Sequence, residues 1–321
     1  MTTQTANSLT LVEVAKRHGP DGNMLTIVEA LAEENYILQD SQWREANDTF
    51  SHTTTRRSSE PAGSWRKLNA GVATEKSDTT QVKDVIGILE TLAKNDVEAI
   101  KAFKNPAQAR SDEAMAFVSG LGKTMASTQI YGNTNTNPER FTGLAPRLSS
   151  ISATTNVLNE GGTGSDLTSI YVVDWGVNTC HMLYPRNSKV GLEHKDLGTL
   201  LVTDIGSNEF EAYVDKFTWK AGLAVKNNKS IGRLANIETS GSTNIFDEDN
   251  LITLLNRMTK GMGRKIYCNE TIMTQMEIRL KDKSNVNFTF DQGLAPGMNM
   301  NFKKTPIRQV DQILDTEAAL T

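Results

Sequence analysis

The amino-acid sequence predicts an α+β protein, and two observations carry that prediction. Segments with the alternation of a strand and segments with helical spacing are mixed along the chain, without the regular strand-helix-strand order that builds a parallel sheet. No internal repeat is present, which excludes solenoid and propeller architectures. Apolar residues make up 38% of the 321 residues, enough for a globular core but a dilute one. The length allows one large domain or two smaller ones.

The charge balance and the cysteines limit the class of protein. Lys and Arg total 34 against 38 Asp and Glu, a formal net charge of −4, so the net basic face of a nucleic-acid-binding module is not expected. No stretch approaches the roughly 18 apolar residues of a membrane span, and the first residues lack the features of a secretory signal. The two distant cysteines, Cys180 and Cys268, indicate a reducing compartment. We therefore expect an intracellular protein with no membrane partner.

The first 47 residues carry two short apolar-periodic patches, separated by the turn cluster Gly19–Gly22. Neither patch is long enough to hold a core alone. Residues 1–47 are therefore expected to form an arm that docks on something else.

Residues 48–82 predict a long, polar β-hairpin. Two Thr- and Ser-rich stretches, residues 49–59 and 74–80, flank the turn signal Glu60–Gly63, which places the tip near Pro61 and Gly63. An isolated two-stranded ribbon is marginal in water, so something outside the hairpin must stabilise it. A disordered linker is the alternative that the composition leaves open.

Eight residues in and near this hairpin are predicted to contact another subunit. The basic pairs are either solvated or paired with carboxylates of another chain, and the second interpretation is favoured because the hairpin needs a partner. The large apolar side chains need a surface to cover them. The predicted contacts are Trp43, Phe50, Arg56, Arg57, Trp65, Arg66, Lys67 and Leu68.

A long helix is predicted over residues 106–131. Asn105 is a good N-cap, Pro106 suits the first helical position, and Gln108 completes a capping-box-like spacing. The apolar face ends at Tyr131, where Gly132 is expected to take a left-handed cap. A single long helix of this kind often serves as a backbone on which sheets pack.

The remainder mixes strands and helices. Apolar and polar residues alternate in the strand segments, most clearly from Glu209 to Val225. Amphipathic spacing predicts two further helices. Strands are expected at 168–175, 179–184 and 209–225, helices at 247–260 and 270–280, and an extended tail at 300–314.

Two glycine-rich segments resemble phosphate-binding loops but lack their context. Ser119–Thr124 ends in Gly-Lys-Thr, yet Phe117 stands where the full pattern needs glycine, and the segment lies inside the predicted helix. Gly161–Asp166 precedes a strand rather than opening a helix, so a surface loop is favoured. Neither predicts a nucleotide site.

The remaining candidates for chemistry are also weak. Cys180 and His181 are adjacent on a strand and point to opposite faces, so we expect a packed cysteine beside a surface or interface histidine. His194 and Asp196 share a side but lack a third metal ligand. No catalytic residue, cofactor or metal is therefore predicted.

The order of parts resembles the major capsid proteins of tailed bacteriophages with the Hong Kong 97-type fold, in particular those of short-tailed phages. Arm, long hairpin, long helix and a large α+β remainder follow one another, and several stretches are similar in colinear order. These stretches are Leu11–Arg17, Ile37–Asn47, Trp65–Val72, Gln129–Asn133, Phe141–Ala145, Gly161–Ser169, Val173–Gly176 and Trp219–Leu223.

The resemblance implies a domain organisation that hydrophobic periodicity alone does not predict. It implies an N-terminal arm at 1–47, an extended loop at 48–82 lying over a neighbouring subunit, a peripheral domain at 83–144 with its spine helix at about 106–131, a mainly axial domain at 145–299, and a C-terminal strand at 300–321 returning to the peripheral domain. Little sequence precedes the hairpin, so a separate scaffolding protein, or none, is expected.

The resemblance also implies a function: a major capsid protein that assembles into hexamers and pentamers of an icosahedral shell, without catalysis or a cofactor. The implied partners are copies of itself, with scaffolding, portal and cement or decoration proteins as further partners. The shell would enclose double-stranded DNA without sequence-specific binding, within a virion assembled in the host cytoplasm. The alternatives are another virion subunit, such as a decoration or portal protein, and, more remotely, a Cys/His hydrolase.

Overall fold

The computed structural model describes residues 35–151, 156–203, 208–281, 287–291 and 299–321. Within them the chain is a mixture of helices and largely antiparallel strands. The helices are α1 (Tyr36–Asp40), α2 (Val97–Lys101), α3 (Pro106–Tyr131), α4 (Leu144–Arg147), α5 (Glu248–Arg257) and α6 (Glu270–Leu280). The strands are β1 (Trp43–Glu45), β2 (Ser51–Ser59), β3 (Asp78–Asp96), β4 (Val157–Asn159), β5 (Leu167–Asp174), β6 (Cys180–Tyr184), β7 (Leu192–Thr203), β8 (Glu209–Val225), β9 (Ile231–Glu238), β10 (Arg264–Cys268), β11 (Phe288–Asp291), β12 (Asn299–Phe302) and β13 (Thr305–Gln309).

The larger of two compact units contains residues 35–87, 127–188 and 221–321. Its main sheet has seven strands in the order β11-β12-β13-β10-β5-β9-β4. All eight residues of β5 are buried, and β5 pairs antiparallel with both β9 and β10. A strand covered on both faces is typically rich in β-branched and aromatic residues, as the Ile170–Val173 stretch of β5 is.

Helices α5 and α6 pack on this sheet because each has an apolar face and a side-chain cap. The Asp247 carboxylate accepts a hydrogen bond from the Asp249 N–H at 3.3 Å, and the Asn269 side chain accepts from the Ile272 N–H at 3.0 Å. Both helices agree with the sequence prediction, although α5 ends earlier than expected. The core they form with the sheet includes Ile170, Val172, Leu234, Phe246, Leu254, Ile266, Met276 and Phe302.

A second, six-stranded sheet has the strand order β1-β6-β8-β3-β2, with β7 also paired to β8. β1 is parallel to β6, with Trp43 opposite Met182, while β6 and β8 are antiparallel, with Cys180 opposite Val225. The strands predicted over 179–184 and 209–225 are confirmed as β6 and β8.

The predicted hairpin is present, but its tip is not near Pro61 and Gly63. β2 pairs with β3 from Ser51 opposite Val85 to Ser59 opposite Asp78, and residues 60–77 between them form no strand. The prediction of a return strand starting just after Gly63 is therefore wrong. Residues 78–86 supply the β-branched side chains that favour a strand, whereas Asn69 takes a left-handed backbone with φ of 63°.

In the smaller unit, residues 88–126 and 189–220, the first part of α3 is fixed to the β7–β8 hairpin by an ion network. The Arg110 guanidinium donates to both carboxylate oxygens of Asp215 at 3.0 Å and pairs with Asp196 at 3.1 Å. The His194 Nε2 lies 2.9 Å from the buried Asp215 carboxylate. His194 and Asp196 therefore do lie on one side, where they bind Arg110 and Asp215.

Helix α3 has the bounds that the sequence predicts, Pro106–Tyr131. The Asn105 side chain accepts from the Gln108 N–H at 3.4 Å, as expected for the N-cap. The predicted left-handed cap at Gly132 is wrong, because its φ is not positive. Gly132 is instead required by close approach: an added Cβ would overlap the carbonyl oxygens of Thr128 and Phe141.

The boundaries of the two compact units differ from those of the predicted peripheral and axial domains. The unit boundary falls inside β3, α3 and β8. The predicted domain names refer to places in an assembled shell, so they stay predictions.

The part of the arm up to residue 34 lies outside the described residues. No helix among the residues that the structure describes is long and apolar enough to cross a membrane.

Candidate assembly surface

The root of the hairpin is fixed by polar side chains just before β2. The Asn47 amide donates to the Thr53 carbonyl oxygen at 2.8 Å, and its oxygen accepts from the Thr53 N–H at 3.0 Å. The Asp48 carboxylate accepts from the Ser51 hydroxyl at 2.7 Å, and that hydrogen bond lowers the pKa of Asp48. These bonds determine where β2 begins.

A buried ion pair holds the other strand of the root. The Arg147 guanidinium donates to the Asp84 carboxylate at 2.7 Å, and it also donates to the carbonyl oxygens of Leu223 and Thr142 at 3.0 and 3.3 Å. One cation therefore satisfies groups on β3, on β8 and in the turn before α4. Such a pair is costly to break, since either charge alone would be left buried.

Arg56 is bonded within its own chain. Its guanidinium donates to the Asn228 side-chain oxygen at 2.8 Å and to the Val225 carbonyl oxygen. The prediction that Arg56 contacts another subunit is not tested by this geometry. Within its own chain, Arg56 has hydrogen-bond partners at the root of the hairpin.

Beyond Arg56 the chain is exposed: every residue from 57 to 81 is open to solvent. Trp65 is fully exposed and Leu68 is 91% exposed, with Val72 half-exposed further along the same loop. Phe50, at the start of the hairpin, is also exposed. Large apolar side chains in a contiguous exposed segment mark an interaction surface. We call residues 60–77 the tip loop.

The tip loop is held mainly by weak polar contacts. The Gly63 N–H donates to the Glu75 carboxylate at 3.1 Å, across the loop. Exposed ion pairs join Arg57 to Glu60 at 3.7 Å and Lys76 to Asp78 at 3.2 Å. Pairs of this kind contribute little to stability, so the loop conformation depends on what surrounds it. The predicted contact residues Arg66 and Lys67 are exposed here as well.

A second apolar surface lies in the smaller unit, along α3. A groove of about 530 Å³ between β3 and α3 is lined by Leu89, Phe117 and Leu121. Met115 and Val118, on the same helix, are exposed. This surface is shallow and open, unlike an enclosed catalytic cavity.

The two glycine-rich segments are placed as the sequence predicts. Ser119–Thr124 lies inside α3, and Gly161–Asp166 forms a loop ahead of β5. In that loop Gly162 approaches the Asn236 carbonyl oxygen so closely that a Cβ would lie 2.5 Å from it. Close packing therefore accounts for glycine at this position.

Cys180 is a packed thiol, as expected, but His181 is not on the surface. Burial raises the pKa of the Cys180 thiol to about 12, so it stays protonated. His181 is only 1% exposed, and its ring packs edge-on against the His52 ring at 5.9 Å between centroids. The prediction of a surface histidine is therefore wrong. The described residues contain no group of three or more His, Cys, Asp or Glu that could hold a metal ion.

The residues that fix the hairpin root were missed by the sequence prediction. Asn47 and Asp48 do carry a local signal, since Asn and Asp side chains commonly bond the backbone a few residues ahead. The pairing of Asp84 with Arg147 joins residues 63 positions apart and has no such signal.

Comparisons with known proteins place this chain in a family. A family model described as major capsid protein GP7 matches residues 19–321. The solved structure of bacteriophage Epsilon15 is 28% identical, with a TM-score of 0.77 and 100% of each chain covered.

Two more distant structures also match. The bacteriophage JBD30 capsid is 12% identical with a TM-score of 0.49, covering 95% of this chain and 99% of its own. The SrpI encapsulin of Synechococcus elongatus is 11% identical with a TM-score of 0.48, covering 73% and 98%. No curated protein matches the sequence.

The fold and the family match define a structural subunit that forms a shell from many copies of itself. The chain belongs to the GP7 family of major capsid proteins. It is a capsid protein of the tailed-bacteriophage type, with the Hong Kong 97-type α+β fold, and its place is the virion. The family role is structural.

Proposed function

We propose that the tip loop docks on a neighbouring copy of the chain and joins subunits of the shell. The observation that carries this proposal is the complete exposure of Trp65, beside Leu68, on a hairpin whose root is fixed by its own chain. Burying an aromatic side chain removes about 150–250 Å² from water, worth about 4–6 kcal/mol at roughly 25 cal/mol per Å². A contact of this size, repeated by every subunit, makes assembly cooperative.

The receiving surface in this proposal is the groove beside α3 of the neighbouring copy. Its lining residues Leu89, Phe117 and Leu121 are apolar, and Met115 and Val118 extend the apolar area. The basic residues Arg57, Arg66 and Lys67 would then meet carboxylates at the rim, with Trp43 and Phe50 as further contacts. Rim charges favour the correct orientation more than they add affinity.

At the level of the whole particle, the proposed shell is icosahedral and built of hexamers and pentamers. The proposed regions are those that the resemblance implies: arm 1–47, extended loop 48–82, peripheral domain 83–144, axial domain 145–299 and returning strand 300–321. A net charge of −4 is compatible with enclosing double-stranded DNA without gripping it. Scaffolding, portal and cement proteins are proposed partners, and assembly is proposed to take place in the host cytoplasm without catalysis.

The test is a double substitution in the tip loop, Trp65→Ser with Leu68→Ser. Both side chains are exposed, so neither unit should lose core packing, and circular dichroism should match that of the unchanged chain. The critical concentration for shell assembly should rise at least about 10-fold, because the apolar contact is lost. Sedimentation and negative-stain electron microscopy measure the fraction in shells.

The matched control is Met262→Ser, a second fully exposed apolar side chain, which lies outside the hairpin. This control should assemble normally. Normal shells from the double variant, at the usual concentration, would refute the docking role of the tip loop.

A further inference from the structure

Strand β7 of the smaller unit leaves one of its edges open. It pairs with β8 along the other edge, from Leu192 opposite Trp219 to Thr203 opposite Glu209. On its outer edge β7 has no strand neighbour in the part of the chain that the structure describes. An unpaired edge presents backbone N–H and C=O groups on which another strand can form a ladder.

A β-bulge divides β7 into two parts. The register with β8 shifts between Asp196 and Thr199, and Gly198 between them takes a left-handed φ of 77°. The Asp196 carboxylate accepts from the Gly198 N–H at 2.8 Å and pairs with Arg110 of α3 at 3.1 Å. The bulge is therefore held in place, and the strand beyond it changes direction there.

The two parts of β7 differ in how their open edge is protected. Before the bulge, Glu193 and Lys195 are exposed, and charges together with a bulge are common means of preventing edge-to-edge pairing. After the bulge, residues 199–203 have the sequence Thr-Leu-Leu-Val-Thr, without charge, proline or glycine. Short uncharged segments of this composition are prone to pair with another chain. We call residues 199–203 the edge segment.

Apolar side chains are uncovered on both faces of the edge segment. Leu201 is 68% exposed and Leu200 is 44% exposed. Because successive side chains of a strand point to opposite faces of the sheet, a surface docked on one face would cover only one of these two leucines. A strand added at the edge brings side chains to both faces, so it is the arrangement that covers both.

The edge segment is also complementary to itself. Its residue types are symmetric about Leu201, with Leu200 and Val202 on either side and a threonine at each end. Two copies paired antiparallel about this centre place the central leucines opposite each other, Leu200 opposite Val202 and threonine opposite threonine. Threonine pairs and apolar pairs are favourable across antiparallel strands, and no charge lies opposite a like charge.

We propose that the edge segment pairs antiparallel with the edge segment of a second copy, across a twofold axis. The pairing continues the β7–β8 ladder from one subunit into the next. Both copies use the same surface in such a contact, so it closes after two copies and does not grow into an open-ended fibre.

The tip loop of a neighbouring copy is the other strand-like segment that could occupy this edge. Its exposed apolar residues Trp65 and Leu68 are separated by the charged Arg66 and Lys67. It therefore lacks the uncharged, symmetric pattern that matches residues 199–203, and a second edge segment is favoured. The proposal depends on the assembly of many copies and does not depend on where the tip loop docks.

The proposed contact is small. Five residues of an antiparallel strand span about 17 Å, and a pairing of this length buries less than the roughly 1,000 Å² of a stable interface. We therefore expect the contact between copies that other surfaces already hold together, as in a shell, and not between free subunits.

The experiment is disulfide trapping in assembled shells of the full chain, comparing Leu201→Cys with Leu200→Cys. In the proposed register position 201 lies opposite position 201 of the second copy, whereas position 200 lies diagonal to position 200. Residues directly opposite have Cα atoms about 4.5–5.5 Å apart, which a disulfide can bridge, and diagonal neighbours at about 7–8 Å are too far apart. The native Cys180 and Cys268 are buried, so they do not compete.

Mild oxidation of Leu201→Cys shells should give dimers that a reductant reverses, with a yield at least about 10-fold above that of Leu200→Cys shells on non-reducing gels. Equal yields from the two variants, or no dimers from Leu201→Cys, would overturn the proposal. A higher yield from Leu200→Cys would also contradict it, because the strands would then pair in another register.

A second variant, Leu201→Lys, measures the same contact without a cysteine. It brings two cations together at the twofold axis, so the critical concentration for shell assembly should rise at least about 10-fold at low salt and less at high salt. The control Val190→Lys, at an exposed apolar position of the same unit outside β7, should assemble as the unchanged chain does. Circular dichroism should be the same for both variants, and equal assembly by both would count against the edge contact. The docking of the tip loop is measured separately by the Trp65 and Leu68 substitutions, so either proposal can fail without the other.

Discussion

The Glu317 carboxylate, near the end of the chain, is the centre of a buried polar network. It accepts hydrogen bonds from the hydroxyls of Tyr131 at 2.6 Å and Tyr171 at 3.2 Å, and from the Ser169 hydroxyl. It also pairs with the Arg233 guanidinium at 3.0 Å. Burial is the main cause that raises the pKa of both tyrosines, so both hydroxyls remain donors. The network fixes the last residues to the main sheet.

Replacing Glu317 with Ala should lower the free energy of unfolding by about 3–5 kcal/mol, because it leaves the Arg233 charge buried and unpaired. Urea unfolding followed by circular dichroism measures the loss. Glu277→Ala, which removes an exposed carboxylate on α6, is the control and should change stability by less than about 0.5 kcal/mol. Equal stabilities of the two variants would show that the network contributes nothing.

At Glu160 the pH dependence of the free energy of unfolding can be tested. Burial raises its pKa to about 7, against the opposing hydrogen bonds from Asn250 and from the Asp247 N–H. A raised pKa means that folding favours the protonated carboxyl. Its contribution to stability is therefore complete below the unfolded-state value of 4.5 and is lost as the pH rises through about 7.

The unfolding free energy should thus fall by about 1–2 kcal/mol between about pH 4.5 and about pH 7 because of Glu160, after allowance for partial solvent exposure. Glu160→Gln should remove that fall and be more stable than the unchanged chain at about pH 8. Urea titrations at both pH values test this. A variant with the same pH dependence as the unchanged chain would contradict the assignment.

At the scale of elements, a glycine inside α3 and the glycine that follows it differ in their surroundings. An added Cβ at Gly120 meets nothing within 4 Å, whereas at Gly132 it would overlap the Thr128 and Phe141 carbonyl oxygens. Gly120→Ala should therefore raise the free energy of unfolding by about 0.5–1 kcal/mol through helix propensity. Gly132→Ala should lower it by about 1–3 kcal/mol. Denaturant midpoints of the pair measure the contrast, and a common sign for both would refute it.

Elements with strong local signals were predicted well from the sequence. The bounds of α3 follow from Asn105 and Pro106 at its start, and those of α6 from the Asn269 cap and the apolar face. β8 follows from its alternation. In each, the signal lies within a few residues of the boundary, so neighbours along the chain decide the structure.

Features decided by non-local pairing were not predicted. The return strand of the hairpin starts at Asp78 because residues 78–85 pair with β2, and nothing near Gly63 reveals that register. His181 is buried beside the His52 ring, which lies more than 100 positions away in the sequence. The eight predicted contact residues stay predictions, since their partner is another copy.

At the scale of the whole molecule, the chain holds the root of the hairpin with hydrogen bonds and an ion pair, and it leaves the tip exposed. Asn47 and Arg147 bind the root, while residues 57–81 remain exposed. In the described part of the chain β2 is the edge strand of its sheet and pairs with β3 alone. The exposed segment is therefore available to another copy, as the proposed docking of the tip loop requires.

The register of the hairpin allows the tip loop to be removed without disturbing the root. Ser59 lies opposite Asp78, so replacing residues 60–77 with Asn-Gly closes the strands with a two-residue turn. The resulting chain should fold with an unchanged or slightly higher unfolding free energy, since a long loop is lost. It should remain as soluble subunits or small capsomers, because the docking segment is gone. Sedimentation velocity measures the size distribution. The unfolding curve shows directly whether the shortened chain is folded, so no control deletion elsewhere in the chain is needed. Full-sized shells from this variant would mean that the tip loop is dispensable, and that shell contacts lie on other surfaces of the subunit.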